Sequence, residues 1–551
     1  MTVPSDTDLG VDLATGPTTT APAPPSSTAS ATAEAGPDAP TQAAPIVTGN
    51  QAVSMAGQVA RGSLWSMGGQ SVTLLASLLA TPLLIRWLGA EAYGVWALIN
   101  LLIGYLSFGD LGMGTASTRF GAEAHARGDD KGEAEIIWTA LLLGLLPAML
   151  LAVLLVFGAA PLLARVLGLP AHLQPEAVLA LRIAALGFIA RVAASVLNTP
   201  QLVRLRLRLN VAINTTAGVA QIALAPLALR LGGGLAGAAL AVTAVNGFAA
   251  LGHAFFSWRL LPQLRQPGFA RTRAHALARF GGALVLSQLA ALLLTNGEKL
   301  VLTRVASVKT LAYYSVAFTL ANLLTMAPVA LGQALLPAFT RLWASASAAE
   351  LQAFYQHALR WLLLGTPPVL LLMAWGARPF LTLWAGPEFG RESSGPFYVL
   401  LAGLAVNVVA YVPLNLMIAA GRTQLLARYY WLELLPYLLL AGLLAARFGA
   451  IGAAAAWSVR AATDAILYLR TGNRLAKLSR PLLAEAGKSY FLLLSVLFAP
   501  VLLVKLLVSN PGLELLALLA GLFSYGILAW TYLLQSGERR WLTERLSLDL
   551  K

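Results

Sequence analysis

From Ser63 onward one pattern repeats along the chain: an apolar run of about twenty residues, a short polar or basic connection, then another run. That length is what an α-helix needs to cross ~30 Å of hydrocarbon. Fourteen such spans are predicted, near 64–86, 93–115, 135–158, 175–198, 209–230, 234–257, 280–303, 311–338, 357–376, 396–420, 429–446, 449–469, 489–509 and 513–535. Residues 1–60 differ. Stretches such as TGPTTTAPAPPSSTASATAEAGPDAP have no periodic apolar face, so this range is predicted to be a disordered tail. It lacks the basic start and apolar core of a secretory signal, and no cleavage is expected.

Composition agrees with the pattern. Hydrophobic residues make up 58% of the chain and charged residues 11%, with a mean hydropathy of +0.72. Soluble domains are about 25% charged, so the expected class is a membrane protein. With no cysteine there is no disulfide, thiolate metal site or cysteine nucleophile, and the five histidines show no metal-ligand spacing. The net charge of +14 conceals a division, because residues 1–60 hold five acids and no base before Arg61. A basic balance elsewhere would suggest nucleic acid. Here it is better read as loops held against an anionic leaflet, and no nucleic-acid partner is expected.

Basic residues also set the orientation. If the N-terminus is cytoplasmic, the inner connections hold 25 Lys and Arg, the outer ends nine, and the spans four. The positive-inside rule then puts both termini in the cytoplasm. The longest outer connection, ARPFLTLWAGPEFGRESS, has 18 residues, little room for the loop-borne chemistry of a polysaccharide polymerase or ligase.

The chain also repeats itself. LIRWLGAEAYGVWA at 84–97 aligns with LTRVASVKTLAYYS at 302–315 at an offset of 218, VLN near 198 with PLN at 413–415 at 217, and GLAGAALA at 234–241 with GAIGAAAA at 449–456 at 215. Six helices per unit give both halves the same membrane orientation, with an axis along the membrane normal. The predicted fold is therefore an all-α polytopic membrane protein of about 14 transmembrane helices, two pseudo-symmetric six-helix lobes plus two C-terminal helices. Its parts are the tail (1–60), an N-terminal lobe (61–258), a cytoplasmic linker (259–278), a C-terminal lobe (279–470), and helices 13 and 14 with a basic tail (471–551).

Three motifs of the first repeat, LGAEAYGVWAL, GYLSFGDLGMG and RFGAEA, and three of the second, NGEKLVLTR, AYYSVA and ALLPAFTRL, resemble the Wzx-like polysaccharide flippases. These form the polysaccharide-transporter branch of the multidrug/oligosaccharidyl-lipid/polysaccharide exporter superfamily. The resemblance runs from about residue 60 to 535. It implies fourteen helices, a cavity facing each side of the bacterial cytoplasmic membrane in turn, and a lipid-linked oligosaccharide as cargo. It further implies work alongside a polysaccharide polymerase and other assembly proteins. Two departures stand out: Ala312 replaces a glycine before Tyr313, and the acidic tail is long.

An anionic diphosphate head group left unpaired in hydrocarbon costs on the order of tens of kcal/mol, so such a carrier needs a polar, preferably cationic path. Arg182, Arg191, Lys299 and Arg460 fall within predicted spans, and Arg86 and Arg304 at their outer ends. All six are candidate substrate ligands. Arg86 and Arg304 can instead snorkel to the interface, and Arg460 can pair with Asp464 four residues on. Arg182 and Arg191 are nine apart and half a turn out of phase, so at most one lines a given stripe.

No phosphate-binding loop is present, which leaves proton or sodium coupling, with Glu298, Asp110 and Asp464 as its carboxylates and no cofactor. Asp110 has an alternative role as a cap where glycines loosen the chain. Asn322, Pro328, Gln333 and Pro337 mark helix eight as bendable. Glu298 and Lys299 diverge by about 100° on their helix, so each needs its own partner. The resemblance sets them beside the central cavity, Lys299 towards the anion and Glu298 as a coupling site, with an ion pair to another helix as the alternative. A cation-coupled multidrug exporter shares the fold and would favour an acidic, aromatic cavity. Four bases against three acids in the spans tip the reading towards an anion.

Overall fold

The computed structural model describes residues 49–345, 347–478, 494–504, 507, 510–534, 539 and 543. Most of the expected tail over 1–60, much of the thirteenth span and the basic C-terminal tail lie outside those residues. The chain divides into two units after Met55, and the larger, Ala56–Lys551, holds the membrane-spanning body. Among the described residues there are helices and no strands.

In chain order they are α1 (Gly49–Leu106), α2 (Met113–Ala126), α3 (Asp130–Pro161), α4 (Gln174–Leu197), α5 (Thr199–Val203), α6 (Leu207–Arg230), α7 (Gly234–Leu260), α8 (Arg271–Val305) and α9 (Val308–Ala321). Then come α10 (Met326–Ser345), α11 (Ala348–Ala385), α12 (Pro387–Glu392), α13 (Ser394–Asn407), α14 (Tyr411–Ala419), α15 (Thr423–Leu475), α16 (Leu494–Val504) and α17 (Pro511–Leu528). Several begin where a polar side chain replaces a missing helical acceptor. The Asp129 carboxylate accepts from Gly132 N–H at 2.8 Å to start α3, and the Ser307 hydroxyl accepts from Thr310 N–H at 3.0 Å to start α9. Ser347 and Glu350 cap α11 reciprocally.

Ten helical stretches among the described residues are long and apolar enough to cross a membrane. Two of them hold two predicted spans apiece, because α1 turns at Gly89 (φ 73°) and α15 at Gly449 (φ 55°), where a side chain would be strained. The 18-residue outer connection is almost wholly helical: α11 continues to Ala385, Gly386 turns at φ 101°, and α12 leads to α13.

The departures from helix follow the repeat. Gly89 corresponds at offset 218 to Ser307, between α8 and α9, and Gly234 (φ 58°) corresponds at 215 to Gly449. A short 3₁₀ turn at Ser107–Asp110 recurs at Asn322–Thr325, again at offset 215. The second turn has a covalent reason. Pro328 has no N–H for the Leu324 carbonyl, and its ring crowds that carbonyl, so the helix rewinds just before it.

Each lobe closes on one helix pair. In the first, a Cβ added to Gly187 of α4 would lie 3.1 Å from Thr243 Cα on α7, and the Thr243 hydroxyl donates to Ile183 O at 3.1 Å. In the second, a Cβ on Gly403 of α13 would lie 2.7 Å from Ser458 Cα on α15, and the Ser458 hydroxyl donates to Val399 O at 2.9 Å. All three partners correspond at 215–216. Without water to drive association, small residues that admit close backbones hold such helices together. The last two helices dock on α11, where Tyr525 donates to Leu364 O at 2.6 Å and Leu497 and Leu518 are buried with Leu371.

Gly403→Ala should therefore lower thermal stability in detergent by about 1–3 kcal/mol through overpacking, and adding Ser458→Gly should restore part of it. Unchanged melting of the single variant would remove this contact from the core of the lobe.

Candidate transport site

Two polar spaces share α9 as a wall. The first is a cleft of about 510 Å³ between the lobes, bounded by α1, α6 and α9. Its hydrogen-bonding groups are uncharged: Thr73, Ser77, Asn210, Asn214, Thr215 and Thr319. Asn214 is held from behind by a buried network that the sequence reading missed. His253 Nε2 lies 3.4 Å from Asn214 Oδ1, and its Nδ1 lies 3.1 Å from Gln201 Oε1. Isolated polar residues on three different helices leave no periodic signal for such a network.

The second space is a cavity of about 230 Å³ inside the C-terminal lobe. Thr319 and Leu323 face the cleft, whereas Phe318, Asn322 and Thr325 face this cavity. Arg460 and Asp464 of α15 line it, and the charges of α8 stand behind that lining, Lys299 against the wall residue Phe318 and Glu298 within Coulombic reach of Arg460. Glu298 is fully buried and accepts from Tyr314 at 3.0 Å and Tyr437 at 2.6 Å. Lys299 turns away from it, donates to Asn296 Oδ1 at 2.6 Å and sits 3.8 Å from the Phe318 ring centroid. Each of the adjacent pair has its own partners, as the 100° divergence requires, and neither makes an ion pair with another helix among the described residues.

Arg460 and Asp464 form the i,i+4 pair at 2.7 Å. The guanidinium also lies 5.6 Å from the Tyr437 and Trp457 ring centroids and within Coulombic reach of Glu298 and Glu433. Glu433 was absent from the sequence reading, although an acid inside an apolar span is the signal that found Glu298. It corrects the charge count: four acids, not three, face four bases, and the basic excess disappears. Glu433 faces the Asp464 carboxyl closely enough to share a hydrogen bond with it when one of the two is protonated. Apart from that contact, both Glu433 oxygens, Asp464 Oδ1, Arg460 Nε and Trp457 Nε1 are buried without a hydrogen-bond partner among the described residues. Buried polar atoms are nearly always partnered, so this cluster has the character of a binding site.

The other candidates lie elsewhere. Asp110 Oδ1 accepts from Gly112 N–H at 2.8 Å, and Ser195 donates to Oδ2 at 3.4 Å. That is the capping role, in a turn where Leu111 and Gly112 both have positive φ. Arg191 donates to Ile103 O at 3.2 Å near Asp110, and Arg182 to Val156 O at 2.8 Å, so the two arginines face different neighbours. Arg86 and Arg304 are exposed at helix ends. The structure thus brings together Glu298, Lys299, Arg460 and Asp464, and leaves the remaining five candidates apart from them.

One cluster has metal-ligand proximity that spacing did not reveal: ligand atoms of His125, Asp130 and Glu133 lie within 4.8 Å of one another. Arg204 already engages both carboxylates, at 2.6 Å to Glu133 and 3.4 Å to Asp130, which ties the α2–α3 and α5–α6 connections together.

At the Gly89 end the lobes meet. A Cβ on Gly94 would overlap the Val308 carbonyl oxygen and lie 2.8 Å from its carbon. Tyr93 packs edge-on to Phe389 at 6.3 Å, and Trp384 donates to Leu78 O at 2.8 Å. Lys309 at 2.7 Å and Tyr313 at 2.6 Å fix Glu388 beside Phe389 and hold its carboxyl below the usual carboxylate range. The glycine is needed in the first repeat, where it meets backbone. Its counterpart Ala312 is fully buried.

The family model described as polysaccharide biosynthesis protein matches residues 59–343. A Shigella flexneri protein described as a candidate O-antigen transporter is 26% identical over 188 residues, 34% of this chain and 44% of that protein, so the chain spans less than half of this relative's length. Among solved structures, the lipid II flippase MurJ in an inward closed conformation has a TM-score of 0.65 at 14% identity, covering 85% of this chain and 98% of that one. An inward-facing MATE family multidrug resistance transporter of the MOP superfamily has a TM-score of 0.63 at 16% identity, covering 75% and 100%. At such identities the likeness establishes the fold.

Opening of the seam at the Gly89 end can be followed with one introduced cysteine, since the chain has none of its own. Maleimide should label Ala90→Cys slowly, and several-fold faster when Gly94→Val is added, because the new side chain strikes backbone. Equal rates would show that the lobes do not close through Gly94.

Proposed function

The chain belongs to the polysaccharide biosynthesis protein family, and from that premise we propose that it carries a polyprenyl-diphosphate-linked oligosaccharide from the cytoplasmic to the outer leaflet of a bacterial cytoplasmic membrane. It is a multi-pass transporter, not an enzyme. The observation that carries the reading of its cargo is the shared wall: α9 separates an uncharged cleft rich in hydroxyl and amide groups from a charged cavity. A glycan is recognised by groups of the first kind. Its diphosphate needs cations, and Lys299 and Arg460 are the nearest group of them. The apolar tail stays in lipid, so only the head group needs a path.

Proton or sodium coupling is assigned to Glu433 and Asp464. Glu298 is occupied by two tyrosine hydroxyls, whereas Glu433 has only the Asp464 carboxyl opposite it. With the basic ends of α5–α6 and α7–α8 taken as cytoplasmic, the cleft opens inwards and the Gly94 seam faces outwards. The cargo's producers and consumers, including a polysaccharide polymerase, are its expected partners.

A second reading, export of organic cations, has one observation in its favour: the cavity is walled by Phe318, Tyr430, Trp457 and Tyr468, with acids equal in number to bases in the spans. Deletion separates the two. Loss of the protein should cause lipid-linked oligosaccharide to accumulate on the cytoplasmic leaflet and stop polymer export without changing drug sensitivity. Continued polymer synthesis would refute the flippase, and drug hypersensitivity would favour the second reading. In inserted protein at equal level, Lys299→Ala should impair export far more than Arg447→Ala at an outer helix end; equal effects would remove Lys299 from the path.

A further inference from the structure

A third space lies away from the wall of α9 and is independent of the transport reading. It is a cavity of about 690 Å³ between α11, α13 and α16, within the range of small-molecule sites. Leu370, Trp375, Leu401, Ala405 and Phe498 make its walls apolar. On α11 its lining runs from Leu370 to Arg378 and on α13 from Ser394 to Ala405, which at 1.5 Å per residue is about 12 to 16 Å. That is roughly half of a ~30 Å hydrocarbon core, one leaflet deep.

The two ends differ in chemistry. At the deep end stand Leu370 and Ala405. At the other, where α11 and α12 reach the interface, stand Arg378, Arg391, Ser394 and Tyr398. Arg391 is shared with its exposed neighbour Glu392 at 3.0 Å, while Arg378 makes no ion pair among the described residues. An apolar slot of one leaflet's depth that opens under two guanidiniums matches a lipid in both parts. The slot takes a hydrocarbon chain and the arginines take a phosphate by paired N–H donation.

We propose that this groove is a binding site for an anionic phospholipid of the bilayer, one acyl chain lying between α11, α13 and α16 and the head-group phosphate held by Arg378 and Arg391. The lipid fastens α16, and through it α17, to the second lobe.

Native mass spectrometry of the full-length protein with phosphatidylglycerol or phosphatidylcholine of equal chain length tests this. Wild type should retain one phosphatidylglycerol more tightly by on the order of tenfold, about what two interfacial cations supply. Arg378→Gln with Arg391→Gln should abolish the preference, Arg378→Lys should keep most of it, and Ala402→Trp, which fills the slot, should weaken both lipids. Equal retention by wild type, or a preference that survives the double variant, overturns the proposal. Displacement of phosphatidylglycerol by equimolar polyprenyl phosphate overturns it too, by giving the groove to an isoprenoid carrier.

Discussion

Inside a bilayer two helices gain nothing from leaving water, so contact has to come from fit, and here the fit rests on a glycine facing a hydroxyl. Gly187 against Thr243 and Gly403 against Ser458 allow α4 to meet α7 and α13 to meet α15 at backbone distance. In each case the hydroxyl gives its proton to a carbonyl four residues before the glycine, so it is not left unpartnered in hydrocarbon. The other helices of each lobe take their places from that pair. In the second lobe the consequence is direct. Ser458 lies two residues before Arg460 and six before Asp464 on the same helix, so the depth and angle of the charged cavity follow from where α13 stops α15.

The charges show how little an intramembrane ion can be left to itself. Arg460 has Asp464, Asp110 has a backbone N–H, Arg182 and Arg191 have carbonyls, and Glu298 has two phenols. Glu433 differs, since only another acid, Asp464, stands opposite it, next to a paired guanidinium whose Nε is itself open. Every helix charge of the second lobe's cavity lacks a counterpart in the first. The offset of 218 sets Glu298 and Lys299 against Ala80 and Thr81, and 215 sets Arg460 and Asp464 against Val245 and Ala249. Symmetry of backbone thus carries asymmetry of chemistry.

Much of the fold was legible because a bilayer imposes length and apolarity; the turns at Gly89 and Gly449, which join two spans into one continuous helix each, were not read from the sequence. The repeat was found through three aligned segments, at 84–97, near 198 and at 234–241, yet the contacts it repeats, Gly187 with Thr243 and Gly403 with Ser458, went unread, since one glycine facing one hydroxyl has no periodic signature. The site was legible where a charge interrupts an apolar run, as at Glu298, Lys299, Arg460 and Asp464. Their common location was not, because it depends on Tyr437 reaching from α15 to α8. For Asp110 the sequence offered coupling or capping, and the contact with Gly112 N–H in the turn at Leu111–Gly112 supports the cap.

The single thickness of helix between cleft and cavity has a thermodynamic meaning. Thr319 and Phe318 are consecutive residues, so no second layer of structure can absorb a displacement of α9 on one side before it reaches the other. The 3₁₀ turn and Pro328 give that layer a point at which to flex. Under linkage, any change that filling one chamber makes in affinity for the other must be returned in equal measure. For the coupled transport proposed above, such a partition needs one hinge and no relay of side chains between two distant sites.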